Sequence, residues 1–133
     1  ADVVPQFAVW DLETFALRKE IIHGRACDDL IGVAAILATL IELRRRRARV
    51  HVVGLITRAE EVGFQGALAA VADGLIPRDA LAISLETSRE MPPVKMGQGV
   101  ILRVGDKASV FGSKATRFLA EVAADLNSEN KAF

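Results

Sequence analysis

Residues 50–86, VHVVGLITRAEEVGFQGALAAVADGLIPRDALAISLE, decide the predicted fold. Their first part, residues 50–57, is an almost unbroken apolar and β-branched run, which is typical of a strand buried on both faces of a parallel sheet. Residues 65–73 are predicted to form a short helix that ends at Gly74, with Pro77 beyond it. A second apolar run follows at residues 80–85. The order strand, helix, strand predicts a βαβ unit.

The flanking sequence continues the alternation of helices and strands. After Asp29, apolar residues recur at helical spacing, with Asp28 or Asp29 placed to cap the helix start and arginines at its end. These apolar residues are Leu30, Val33, Ala34, Leu37 and Ile41. The other predicted elements are a strand at 7–12, a connection at 13–25, a loop at 91–99, a strand at 100–104 and a helix at 113–126. We predict an α/β/α sandwich with a mostly parallel sheet.

Composition limits the classes of protein to which the chain can belong. Its 133 residues suffice for one domain, and 17 basic residues balance 17 acidic ones, so we expect neither a nucleic-acid nor a membrane partner. No apolar stretch approaches the roughly 20 residues that span a bilayer, and the first residues lack the pattern of a secretion signal. The single Cys27 suits a reducing compartment. We therefore predict a soluble, cytoplasmic protein.

Four acidic residues are predicted to lie at one edge of the sheet. Glu60 and Glu61 come just after the first strand of the βαβ unit, and Glu86 comes immediately after the second. A right-handed crossover makes these strands parallel, so their carboxyl ends share an edge, and ligand sites of open α/β sheets form there. Asp28 stands at the start of a helix that leads into the same sheet. When helices pack on a parallel sheet, their amino ends face this edge, so Asp28 is expected near the three glutamates.

Four neighbouring carboxylates repel one another and raise each other's pKa values unless cations lie among them. A divalent metal removes this conflict, and a carboxylate that bridges two ions holds them about 3.5–4 Å apart, as in two-metal hydrolases. Glu60 and Glu61 point in different directions in an irregular loop. One of them can therefore bind metal while the other acts as the general base.

Each of these acidic residues also has a simpler structural interpretation. Asp28 and Asp29 would merely cap a helix, which is a common role of aspartate. Even if Asp28 binds metal, Asp29 is expected to cap the helix or orient its neighbour. Glu60 and Glu61 would form part of a solvated turn. Glu86 would be an ordinary charge at the end of a strand.

Other conspicuous residues are interpreted structurally. Gly97 and Gly99 indicate a turn into the next strand. The arginine run 44–47, with Arg49 after it, indicates a solvated helix end, and a subunit contact is the alternative. Cys27 is interpreted as a small packed residue rather than a thiolate ligand. The remaining residues expected to be structural are His23, His51 and, in the core, Trp10 and the phenylalanines.

Four stretches resemble one enzyme family when they are taken in order along the chain. They are GRACDDLIGV (24–33), RAEEVGFQGA (58–67), ISLETS (83–88) and MGQGV (96–100). The sequence from about Pro5 onward is similar to the co-catalytic two-metal zinc aminopeptidases, which include the tetrahedral, deblocking and glutamyl aminopeptidases. The paired DD-x-x-G and EE-x-G-x-x-G-A segments carry most of the resemblance.

The resemblance implies a role for each carboxylate. Asp28 would bridge two divalent ions, zinc or cobalt, while Glu61 binds one ion and Glu86 binds the other. Glu60 would be the general base. In many relatives an aspartate stands at the position of Glu86, and an arginine is common at the position of Leu30.

The same family pattern contains ligands that this sequence lacks. It includes a histidine from an amino-terminal His-x-Asp segment and another from near the carboxyl terminus, and neither His23 nor His51 matches these by motif. We therefore expect an internal part of a catalytic domain, with an entry segment (1–25), an α/β core (26–126) and a tail (127–133). Each ion would have about two protein ligands, so the metal sites are expected to be partly or wholly unoccupied in this chain.

Two hypotheses of different classes follow. In the first, the protein is a metallo-aminopeptidase that acts on peptide substrates and forms homo-oligomers, as the resemblance implies. In the second, the chain is a non-catalytic α/β module that packs against partner chains. A nucleotide-binding domain is disfavoured because no glycine-rich phosphate loop follows any predicted strand. Surfaces left by missing segments would be apolar, which predicts self-association or marginal stability.

Overall fold

The computed structural model describes residues 6–106 and 109–128, in which it places two strands and three helices. In chain order they are β1 (Phe15–Arg18), β2 (Ile21–Gly24), α1 (Cys27–Arg45), α2 (Gln65–Ala72) and α3 (Ser113–Ser128). The chain divides into two compact units. The first is Ala1–Arg78 with Ala82–Thr87, and the second is Asp79–Leu81 with Ser88–Phe133. The predicted mixture of helices and strands is confirmed, whereas residues 129–133 of the predicted tail lie outside the described part.

The three predicted helices are confirmed, with ends that differ by at most a few residues. The helix α2 ends where Gly74 was expected to end it, because Gly74 takes a left-handed φ of 69° and the Leu75 N–H donates to the Ala70 carbonyl at 2.9 Å. At the start of α3, the backbone N–H and the hydroxyl of Thr116 both donate to the Gly112 carbonyl. No helix in the described residues combines the length and the apolar character needed to cross a membrane.

A β-hairpin occupies the stretch that the sequence had predicted to be a connection, so that prediction is corrected. Strand β1 pairs with β2 in antiparallel register, Phe15 opposite Gly24 and Arg18 opposite Ile21. The two turn residues, Lys19 and Glu20, have positive φ angles of 50° and 64°. Such two-residue turns usually contain Asn-Gly or Asp-Gly, which tolerate positive φ. The Lys-Glu pair lacks this signal, and the hairpin therefore escaped prediction.

The parallel sheet remains a prediction. Within residues 6–106 and 109–128, the only sheet is the β1–β2 hairpin, and the predicted strands at 7–12, 50–57, 80–85 and 100–104 take part in no ladder. The segment 50–57 nevertheless lies against α1, since a Cβ at Gly54 would be 2.5 Å from Ile36 Cγ2 and 3.2 Å from Leu40 Cδ1. Apolar and β-branched side chains favour a strand, but the strand forms only when a neighbouring segment supplies hydrogen bonds.

Burial is slight throughout the described residues, of which only Gly32 and Ala70 are buried. Trp10 is 85% exposed and Phe7 is 82% exposed, so the prediction that the tryptophan and the phenylalanines form the core is wrong for the described ones. Phe133 lies outside the described part. The exposed apolar side chains form a surface that a stable protein would cover.

This exposure predicts that the 133-residue chain self-associates or unfolds readily in isolation. When copies of the chain associate, the apolar surface buried between them stabilises the assembly by about 25 cal/mol per Å². We expect light scattering at micromolar concentration to give a mass above one chain, or calorimetry to give a broad melting transition at low temperature. A monomer with a sharp transition at high temperature would contradict this prediction.

The carboxyl end of α1 is stabilised by one acid and two arginines. Arg45 Nε donates to Glu42 Oε2 at 2.7 Å, and Arg46 Nε donates to Glu42 Oε1 at 2.5 Å. These two hydrogen bonds, from Arg45 and then Arg46, lower the pKa of the Glu42 carboxyl from 4.5 to about 2. Arginines in the last helical turn also complement the helix dipole.

Acidification is therefore expected to loosen this helix end between pH 4.5 and pH 2. A carboxyl whose pKa is lower in the folded chain than in the unfolded chain stabilises the fold above its unfolded pKa, and this stabilisation is lost as the pH falls. An NMR titration should place the Glu42 midpoint near 2. In the Glu42→Gln variant, the amide signals of residues 42–46 should change less over the same pH range. A Glu42 midpoint close to 4.5 would show that the arginine contacts do not persist in solution.

Candidate functional site

A hydrogen-bonded loop positions Glu60 and Glu61. The carbonyl oxygen of Glu60 accepts hydrogen bonds from the backbone N–H groups of Gly63, at 3.0 Å, and Phe64, at 2.9 Å. Both glutamate side chains are exposed. The backbone turn fixes the point from which each side chain leaves the chain, just before α2.

Gly66 closes this loop against the segment that precedes it. Its N–H donates to the Arg58 carbonyl at 3.1 Å, and a Cβ at position 66 would lie only 2.5 Å from that oxygen and 3.1 Å from Thr57 Cβ. Backbone atoms cannot move aside without breaking the loop, so the close approach requires glycine. The glycine in the stretch RAEEVGFQGA thus has a steric function in holding the glutamates.

Replacing Gly66 by alanine is expected to destabilise this loop. Overpacking of a close contact costs about 1–3 kcal/mol, which the gain in helix propensity of about 1 kcal/mol only partly offsets. Urea unfolding followed by circular dichroism should give a lower midpoint for Gly66→Ala than for the unchanged chain. A suitable control is Leu68→Ala in the same helix, since Leu68 is 59% exposed. Equal midpoints for both variants would contradict the steric role of Gly66.

Asp28 and Asp29 lie at the start of α1, where both have backbone angles outside the helical range. Asp29 Oδ1 accepts a hydrogen bond from the Gly32 N–H at 3.0 Å, the contact expected of a capping aspartate. The capping role predicted for Asp29 is therefore confirmed. Asp28 is exposed, so its carboxylate lies at the surface of the helix start.

Glu86 is exposed and belongs to the same compact unit as the other three acidic residues, because this unit includes Ala82–Thr87. In the described residues the predicted strand before Glu86 is unpaired, so its place at a sheet edge remains a prediction. All four predicted site residues thus lie within one unit.

Electrostatic interaction connects these four residues. The surrounding protein raises the pKa of the Glu60 carboxyl by limiting its contact with water, and the negative charges of Glu61, Glu86 and Asp28 raise it further. Repulsion of this kind requires the carboxylates to be near one another. The three residues that act on Glu60 are the same three that the sequence suggested as metal ligands, and their individual roles remain predictions.

The arrangement differs in two respects from a complete metal centre. In residues 6–106 and 109–128, no three His, Cys, Asp or Glu side chains are arranged to hold one metal ion. His23 lies on β2 opposite Ala16, and His51 lies in the unpaired segment 50–57; both are exposed. The donor set is thus chemically suitable for divalent cations but has fewer ligands than the roughly three to four that hold zinc firmly.

Two open hollows lie elsewhere in the first unit. One adjoins the carboxyl end of α1, and the other lies between α2 and residues 55–58. None of the four acidic residues lines either hollow.

Comparison with protein families gives one match that covers nearly the whole chain. The family model described as M42 glutamyl aminopeptidase matches residues 3–132. Comparison with curated proteins and with solved structures gave no match. The family match includes all four acidic residues and the loop that holds Glu60.

Proposed function

The chain belongs to the M42 glutamyl aminopeptidase family, and on this premise we propose that it hydrolyses amino-terminal residues from peptides at a centre of two divalent metal ions. Asp28, Glu61 and Glu86 hold the ions, and Glu60 is the general base. A single observation supports this assignment most strongly. The negative charges of Glu61, Glu86 and Asp28 all raise the pKa of the Glu60 carboxyl, so the four side chains interact.

The side chains in this proposal suit zinc or cobalt in donor type and charge. Carboxylate oxygens bind such ions at about 2.0–2.2 Å, and the positive charge removes the repulsion that the carboxylates otherwise experience. Asp28 would be a ligand shared by both ions, and Glu61 and Glu86 would each hold one of them. When bound, the ions supply a water molecule of lowered pKa and polarise the peptide carbonyl.

Glu60 moves the proton in the proposed reaction. Its carboxylate accepts a proton from the attacking water and then donates that proton to the nitrogen of the departing peptide. The part of the raised pKa that comes from limited contact with water suits this work, because a base is most effective when its pKa lies near the working pH. The backbone hydrogen bonds from Gly63 and Phe64 to the Glu60 carbonyl keep the base in place during the transfer.

The setting proposed for this site is the α/β/α sandwich with a mostly parallel sheet that the sequence predicts. The helix α2, which follows residues 50–57, and the contact of Gly54 with α1 support this arrangement. The many exposed apolar side chains support a homo-oligomer. The single Cys27 supports a cytoplasmic location.

Metal-dependent release of amino-terminal residues tests the proposal. The protein is first stripped with a chelator, then supplied with zinc or cobalt and incubated with a short peptide that has a free amino terminus. We expect release of the first residue only after metal is added, and no cleavage of the same peptide with an acetylated amino terminus. Equal activity with and without metal would contradict the proposal.

A non-catalytic packing module is the second function to consider, because the described residues contain no group of three metal ligands and expose much apolar surface. Calorimetric titration of zinc into the 133-residue chain separates the two functions. Saturable binding that depends on Asp28 supports the aminopeptidase, whereas heats indistinguishable from dilution, with no peptide cleavage, would support the packing module.

A further inference from the structure

The carboxyl end of α1 carries a concentrated positive charge in a chain whose net charge is zero. Its five arginines lie at positions 44–47 and 49. Glu42 pairs with Arg45 and Arg46. For Arg44, Arg47 and Arg49, the described part of the chain provides no ion pair. Among the described residues, the guanidinium groups of these three arginines therefore have no carboxylate partner.

An open hollow of about 380 Å³ lies beside two of these arginines. Arg44 and Arg47 line it together with the apolar side chains of Leu40, Leu43, Val50 and Val52. Leu40 and Arg44 are four residues apart within α1, so they lie on one face of the helix, whereas Arg47 follows the helix end. The hollow is wide open to solvent, so it would contact a small ligand along one side only.

Arg47 occupies a backbone conformation that favours glycine. Its φ of 52° is left-handed, its N–H donates to the Arg44 carbonyl at 3.0 Å, and the following Ala48 N–H donates to the Leu43 carbonyl at 3.0 Å. Helices commonly end with glycine at such a position, because glycine adopts this φ without a steric penalty. The chain turns at Arg47, and residues 50 and 52 then line the hollow together with Leu40 and Leu43 of α1.

We propose that this hollow binds a small amphiphilic anion, in which one carboxylate or phosphate group is attached to a short apolar chain. The guanidinium groups of Arg44 and Arg47 provide the paired donors that match either anionic group. Leu40, Leu43, Val50 and Val52 provide an apolar wall for the chain. The hollow lies roughly 20–25 Å along α1 from Asp28, at a rise of about 1.5 Å per residue, so the site is separate from the proposed catalytic centre.

Isothermal titration calorimetry with hexanoate, hexyl phosphate, hexanol and inorganic phosphate tests this proposal on the 133-residue chain. We expect hexanoate and hexyl phosphate to bind more tightly than either hexanol or inorganic phosphate, because only they engage both the arginines and the apolar wall. Binding should weaken as sodium chloride is raised from about 0.05 to 0.5 M, since salt screens exposed charges. Equal binding of hexanol and hexanoate would overturn the proposal.

Two double variants with the same net charge complete the test. Arg44→Gln combined with Arg47→Gly removes both lining arginines and relieves the left-handed strain, so helix content should be kept while affinity for hexyl phosphate falls by at least about tenfold. Arg78→Gln combined with Arg89→Gln, at two exposed arginines outside α1 and the hollow, should change affinity by no more than about twofold. An equal loss in both variants would show a general charge effect and overturn the proposal. The proposal would also be overturned if the Arg44→Gln, Arg47→Gly variant changed the oligomeric state but not hexyl phosphate binding. That result would show that the hollow is a contact between copies of the chain.

Discussion

Replacing Glu60 by glutamine is expected to lower kcat for release of an amino-terminal residue by about 10²–10⁴-fold, the usual contribution of a general base. Glutamine has nearly the same shape as glutamate but cannot accept the proton of the attacking water. The backbone bonds from Gly63 and Phe64 to residue 60 do not involve the side chain, so the loop should persist. Metal binding should also persist, because the proposed ligands are unchanged.

The measurement is steady-state hydrolysis of a peptide by the metal-loaded protein, with metal content determined in parallel. Glu20→Gln is a matched control, since Glu20 lies in the exposed turn of the β1–β2 hairpin and has no proposed role in the chemistry. Unchanged kcat in Glu60→Gln would remove Glu60 from the mechanism. Loss of metal together with activity would instead make Glu60 a ligand, contrary to the role proposed for it.

The second large effect is expected for Asp28→Asn, which removes the carboxylate that both ions are proposed to share. Removing a residue that only orients a ligand costs about 10–100-fold in metal affinity, so loss of a shared ligand should cost at least as much. Both ions should be weakened together, and activity should fall with them. Equilibrium dialysis against cobalt, followed by metal analysis, measures this directly.

Asp29→Asn provides a control for Asp28→Asn at the neighbouring position, with the same chemical change. Asparagine also caps helices well, and its amide oxygen can accept the Gly32 N–H in place of Asp29 Oδ1. We expect this variant to keep its helix content and its metal affinity. If Asp29→Asn lost metal and Asp28→Asn did not, the assignment of the bridging aspartate would be wrong.

The sequence predicted the helices well because the information that forms them is local. Apolar residues at helical spacing after Asp29, and the glycine at position 74, mark elements that need no distant partner to be recognised. The strands depend on partners. Residues 50–57 have a typical strand composition but are unpaired in the described structure, whereas β1 and β2 pair through a Lys19–Glu20 turn that has no standard turn signal.

The sequence suggested which residues form the candidate site but could not specify the geometry of that site. Sequence motifs selected Asp28, Glu60, Glu61 and Glu86, and in the structure the other three carboxylates raise the pKa of Glu60. The distance of each oxygen from a metal depends on side-chain rotamers and on neighbouring charges, which motif spacing does not specify. The steric need for Gly66 likewise became evident only from its close approach to Arg58.

The most direct test of the central claim is the number of cobalt or zinc ions bound per chain, measured together with peptide hydrolysis as metal is added to the stripped protein. If Asp28, Glu61 and Glu86 hold two ions beside Glu60, binding should saturate at two ions per chain, and aminopeptidase activity should rise with occupancy. Both signals should be lost in Asp28→Asn. Absence of Asp28-dependent binding, or hydrolysis that does not change with metal occupancy, would contradict a two-metal centre at these residues.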